Sequence, residues 1–176
     1  MQRLAAGLLC LSVLGGCGGK APRQYPVPES RRLDTDLDHA REATARVLTD
    51  RGYTIQRNDP ATGVIETDWL TVNPDYSANL FLTENEDRYS DCGKPGLWKT
   101  DHGKQARLAV SVFAAGRGQT ELQVRAAFRT ERTVVLLQTS TLLACQSRGR
   151  LEEEIFVEAQ VWALTNHLQR LRRGWQ

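Results

Sequence analysis

The sequence predicts an α+β fold: an antiparallel β-sheet with two helices packed on one face, in the order α-β-β-β-β-α. Three observations carry this. Residues 37–48 and 155–171 each place apolar side chains at spacings of three and four, as amphipathic helices do. Residues 53–70 and 105–130 alternate apolar and polar side chains on either side of turn-forming residues, the pattern of hairpins. The outward positions of those strands carry Glu, Gln and Arg, so one sheet face is expected to meet water and the other the helices. The 176 residues are 40% hydrophobic and 25% charged, enough for one core without a metal. A net charge of +2 with scattered basic residues gives no case for nucleic acid as a partner.

In chain order, Asp34-Thr35-Asp36 offers capping oxygens, and Leu37, Ala40, Thr44, Val47 and Leu48 form the stripe of the first helix. Gly52 is placed to stop it. Tyr53–Arg57 alternates as a strand, Asn58–Gly63 is dense in turn formers, and Val64–Leu70 alternates again with Trp69 as an expected core anchor. A short strand is expected at Leu80-Phe81-Leu82, within a stretch, 71–104, that otherwise reads as a long polar loop. Gln105–Ala114 and Thr120–Thr130 form the clearest hairpin, with Leu108, Val110, Val112, Leu122, Val124, Ala126 and Phe128 inward. Thr133–Leu143 is apolar and β-branched, a further strand without a readable register. The last helix starts near Gly149, with Glu152, Glu153 and Glu154 in its first turns and Arg170, Arg172 and Arg173 in its last. Its stripe of Val157, Val161, Leu164, Leu168 and Leu171, flanked by Ile155 and Trp162, is expected to lie on the sheet; a helix partner is the competing reading.

Ahead of this domain, Arg3 precedes an apolar run from Leu4 to Leu14 that is too short to span a bilayer. The run closes on Leu14-Gly15-Gly16-Cys17, which resembles the lipobox of bacterial lipoproteins. That resemblance implies a signal peptide at residues 1–16, lipidation of Cys17, and a membrane partner reached through the acyl chains. With Gly18 rather than Asp after the cysteine, the sorting pattern implies the outer membrane, with residues 34–176 a single domain in the periplasm. The competing reading is an ordinary secretory signal with a chance cysteine. Residues 17–33 contain Pro22, Pro26 and Pro28 and read as an extended tether, or alternatively as a proline-rich recognition segment.

Of the four cysteines, Cys10 falls within the expected leader and Cys17 is the lipid candidate, which leaves Cys92 and Cys145. A disulfide between them is the preferred reading in an oxidising compartment, ahead of two free thiols or a zinc site, for which neither has a second ligand at metal spacing. Asp101-His102 offers an acid or base, but no Ser or Cys nucleophile sits in a recognisable elbow. The acidic run Glu84-Asn85-Glu86-Asp87 lacks calcium-loop spacing. No catalytic, metal or cofactor residue is therefore assigned.

The stretch LDHAREATARVLTDRGYTIQRNDPATGVIETDW resembles the opening of BamC-like domains, small lipoprotein domains related to a component of the outer-membrane barrel assembly machinery. The matching residues are Ala40, Leu48, Gly52, Tyr53, Ile55, Asp59, Gly63, Ile65, Thr67 and Trp69. The resemblance implies a helix-grip-like fold. It also implies a non-enzymatic interaction or envelope-assembly module with an envelope protein as partner. The alternative is a domain that holds a lipid or small apolar ligand.

Overall fold

The computed structural model describes residues 19–84 and 87–173, with side chains as far as residue 165. Cys17 and the predicted signal peptide lie outside the described residues, as do the side chains of Leu168, Arg170, Leu171, Arg172 and Arg173. The elements in order are β1 (Arg31–Leu33), α1 (Leu37–Asp50), β2 (Ile55–Asp59), β3 (Val64–Thr67), β4 (Leu70–Ala78), β5 (Thr83–Glu84), β6 (Ser90–Asp91), β7 (Lys99–Gly116), β8 (Gln119–Val134), β9 (Thr139–Ser147) and α2 (Arg150–Arg173). The class is α+β as predicted, but the order α-β-β-β-β-α is too simple. A strand precedes α1, and among the described residues nine strands join the sheet.

All of these strand pairs are antiparallel, and the sheet is organised on the β7–β8 hairpin, 18 and 16 residues long. Each of these strands is longer than any neighbour, so each outer edge is completed by two strands laid end to end. Along β7, β3 pairs with residues 109–111 and β4 with residues 101–106. Along β8, β1 pairs with residues 120–122 and β9 with residues 128–134. The joints fall at Leu108 and Ala126, which face one another across the hairpin. A strand amide left unpaired there is costly. The buried Thr67 hydroxyl accepts from the Leu108 N–H at 2.9 Å, and the buried Glu152 carboxylate accepts from the Ala126 N–H at 3.3 Å.

Inward side chains at alternate positions, Ala106 to Val112 on β7 and Leu122 to Phe128 on β8, share one core with Ala40, Val47 and Leu48 of α1 and Leu151, Ile155 and Ala159 of α2. Asp36 caps α1, its carboxylate accepting from the His39 N–H at 3.1 Å, and Gly52 takes φ +86 where the chain leaves the helix. Arg51 then bridges to Glu154 and Glu158 of α2 at 2.9 and 2.5 Å.

Five local expectations are corrected. Leu80-Phe81-Leu82 is not a strand but part of a tight turn: Asn79 Oδ1 accepts from the Phe81 and Leu82 amides, and Phe81 is 81% exposed. Much of the expected loop 71–104 is strand. Trp69 is not in the core; it lies half-buried, stacked by Arg129 at 4.0 Å and Arg107 at 5.3 Å. Thr133–Leu143 is two strands, split by a turn at 135–138 where Gln138 takes φ +50. Residues 20–33 are not a free tether but lie along the domain, ending in β1, whose Leu33 is buried.

The fifth correction has a companion in α2. The expected sheet-facing residues Val157, Val161 and Leu164 are 51%, 58% and 49% exposed, and Leu151, Ile155, Phe156 and Ala159 are buried instead. The helix is apolar on two sides, so periodicity alone could not choose between them. Glu152 fixes the rotation, because its carboxylate accepts from the Ser147 hydroxyl at 2.7 Å as well as from Ala126. Ile155→Ala is expected to lose about 2–5 kcal/mol of stability in denaturant unfolding. Val161→Ala is expected to stay within about 0.5 kcal/mol.

Candidate functional site

The helices cover only the part of the hairpin nearest its Gly116–Gly118 turn. Towards the other end, the same face is covered by irregular chain. Here the inward side chains become ionic, around a β-bulge. The β7–β8 register shifts between His102 and Gln105, with Gly103 at φ +58. The Thr130 hydroxyl donates to the Gly103 carbonyl at 2.7 Å and lies 3.2 Å from that of His102. The extra residue turns both Asp101 and Lys104 inward, where Asp101 is 0% and Lys104 2% exposed.

Each charge has a partner. Lys104 Nζ lies 3.4 Å from the Asp87 carboxylate, donates to the Ser90 carbonyl at 3.3 Å, and sits 4.0 Å from the centre of the Tyr76 ring. Burial pushes the Lys104 ammonium below its usual value, against the pull of Asp87. Burial also raises the Tyr76 phenol to about 12. Asp101 receives two parallel bonds from Arg132, at 2.6 and 2.7 Å, and these raise the guanidinium further.

The segment over Lys104 is held by the Cys92–Cys145 disulfide, as the sequence predicted. The cysteines are 53 residues apart, and closing such a loop stabilises the fold by about 4 kcal/mol in the chain-entropy picture. The bond fixes β6 and the segment after it against β9. That segment in turn receives the N-terminal strap. Asp91 accepts from the Gly93 N–H at 2.7 Å, the Tyr25 hydroxyl at 3.0 Å and the Arg23 N–H at 3.2 Å. Burial opposes charge on Asp91, but these bonds, led by those from Gly93 and Arg23, hold its carboxyl below the usual range. Lys94 N–H donates to the Lys20 carbonyl at 2.8 Å. Between strap, clamp and sheet lies a cavity of about 430 Å³ lined by Lys20, Tyr25, Tyr76, Asp91, Lys104 and Arg148, among others.

No protein-family model matches the chain, and no curated protein matches it. What the site can do follows from its chemistry alone. The disulfide and the two ion pairs fasten chain to chain. Asp101 and His102, adjacent in sequence, are not brought together as an acid–base pair. Asp101 is locked onto Arg132 inside, and His102 is exposed on the other face, in a shallow groove with Gln105, Arg129 and Leu142.

The ionic cluster was not read from the sequence, although part of its signal was there. The inward positions 106 to 112 and 120 to 130 are all even, and the same parity reaches Lys104 and Arg132. Asp101 falls off that parity because of the bulge. Arg132→Ala leaves a buried carboxylate unpaired and is expected to cost about 3–5 kcal/mol in denaturant unfolding. Replacing both partners, Asp101→Val with Arg132→Leu, is expected to recover most of that loss.

Proposed function

We propose that the chain is a lipid-anchored protein of the outer membrane, held by acylated Cys17, whose periplasmic domain is a non-enzymatic interaction or assembly module. The observation that carries the second half is the outward face of α2. Val157, Val161 and Leu164 lie at successive helical turns and stay exposed, although the helix has already supplied its other apolar side to the core. An amphipathic helix that only covers a sheet carries polar residues there. A row of this kind fits a protein partner that lays its own apolar surface on it.

Two further observations support the reading. The disulfide suits an exported chain. The fastening of residues 20–33 onto the domain suits a protein whose N-terminal side is its point of attachment. The groove beside α1 is lined by Asp38, Arg41, Glu42 and Arg46, and the strap cavity by ionic and phenolic groups. Such linings favour a macromolecular partner over an apolar small ligand. The likeness to BamC-like lipoprotein domains, with their helix-grip-like fold, belongs to this proposal.

A photo-crosslinking residue at position 161, in intact cells, is expected to trap a distinct envelope protein. Trapping should fail when Val157 and Leu164 are changed to Glu. In the same cells, Cys17→Ser is expected to abolish palmitate labelling and release the chain from the membrane fraction. An unlabelled wild-type chain would refute the anchor, and a labelled chain with no adduct would refute the module.

A further inference from the structure

The two ends of the sheet differ in chemistry. At one end the turns are polar: Asn58–Gly63, whose Gly63 carbonyl accepts from Val112 N–H, and Arg117-Gly118 between β7 and β8. At the other end three turns lie side by side on neighbouring strands. Asn79–Leu82 follows β4, Gly96–Trp98 leads into β7, and residues 135–138 join β8 to β9. Their tips are apolar and open to solvent, with Phe81 81%, Leu82 58%, Trp98 56%, Val135 52%, Leu136 68% and Leu137 71% exposed. Backbone bonds tie the turns together and close them. Val135 N–H donates to the Trp98 carbonyl at 2.8 Å, Lys99 N–H to Gly96, Leu137 N–H to Val134 and Asn79 N–H to Leu82. With the Phe81 and Leu82 amides on Asn79 Oδ1, the amides of Asn79, Phe81, Leu82, Val135 and Leu137 in these turns are already paired.

The N-terminal strap runs to the same end. Gly19 lies so close to the Gly96 turn that a side chain there would meet the Lys94 carbonyl at 2.0 Å and the Gly96 nitrogen at 2.7 Å. Cys17 is two residues earlier in the chain, a reach of about 7 Å. Lys20, Lys94 and Lys99, all exposed, surround the spot.

We propose that these three turns form a second membrane contact, in which Phe81, Leu82, Trp98, Val135, Leu136 and Leu137 enter the leaflet that holds the acyl chains of Cys17; this rests on the lipid-anchor reading above. A clustered apolar surface of this size on a soluble domain marks a binding site. Three features select a bilayer as occupant. Gly19 lies at the Gly96 turn and the proposed anchor is only two residues earlier in the chain, so the bilayer is the nearest apolar phase. A tryptophan among leucines, with Lys99 next to it in the chain and Lys20 and Lys94 exposed near Gly19, matches the headgroup boundary of a membrane with anionic lipid. Turn amides that are already paired can leave water without losing their partners, which lipid requires. The domain would stand upright on the membrane, with the outward face of α2 turned to the side and free for its partner.

The test uses the acylated full chain reconstituted in phosphatidylethanolamine and phosphatidylglycerol vesicles with brominated acyl chains. The expected result is a loss of tryptophan emission relative to unbrominated vesicles, and Trp98→Phe should remove that loss. Leu136→Asp with Leu137→Asp should leave acylation and vesicle flotation intact and still abolish the quenching. An acylated, vesicle-bound protein whose emission is not quenched overturns the proposal, as does quenching that persists unchanged in Trp98→Phe. A crosslinker at Leu137 that captures an envelope protein rather than lipid also overturns it. A chain that carries no acyl group at Cys17 instead fails the anchor reading, and the proposal falls with it.

Discussion

The length of the β7–β8 hairpin sets the terms for everything else in the molecule. Eighteen residues of strand extend about 60 Å, whereas the fourteen residues of α1 extend about 21 Å and the twenty-four of α2, packed beside it, about 36 Å. Two helices on one face cannot cover such a hairpin to its end. The remainder of that face is covered by irregular chain, from Asp87 to Gly96 and from Lys20 to Tyr25, which brings backbone polar groups with it. The side chains beneath are accordingly ionic, the Lys104–Asp87 and Asp101–Arg132 pairs, where the helix-covered half has leucine and valine. Irregular chain buries little apolar surface, so its position has to be secured in another way, and the Cys92–Cys145 bond does this.

The same length explains two buried polar residues that would otherwise look misplaced. Because no neighbour matches β7 or β8 from end to end, each edge has a joint with an unpaired amide. Thr67 and Glu152 supply the missing acceptors from opposite sides. Glu152 has a wider consequence, since the bond that closes the joint also sets the rotation of α2. One apolar side of that helix then meets the sheet, and the other, Val157, Val161 and Leu164, stays exposed.

Much of the architecture was legible where a single pattern decided it. The Asp36 cap, the α1 stripe, the Gly52 stop and the alternation of the central hairpin are local signals, and each appears as read. The disulfide was legible because only two of the four cysteines, Cys92 and Cys145, lie beyond the N-terminal seventeen residues. What could not be read depended on choices made elsewhere in the fold. Val157 and Ile155 are equally apolar, and only Glu152 distinguishes their faces. Thr133–Leu143 has one uninterrupted β-like composition and no Gly or Pro to mark its turn, so its apolar turn carries the same signal as strand. Trp69 carries the signal of a core residue because tryptophan is mostly apolar, but Arg107 and Arg129 give it a cation–π site on the open face. The strap lacks any periodicity, and its hold comes from Asp91 and Lys94, some seventy residues away.

The disulfide-held segment fixes the N-terminal strap and so keeps Gly19 at the apolar end of the sheet. Hydrogen exchange at the Lys94 amide, measured before and after selective reduction of Cys92–Cys145, tests it most directly. That amide donates to the Lys20 carbonyl, so it reports strap and clamp together. Slow exchange is predicted in the oxidised protein and rapid exchange after reduction, with the amides of the β7–β8 hairpin still protected. A Lys94 amide that exchanges freely in the oxidised protein, or one that reduction leaves unchanged, would contradict it.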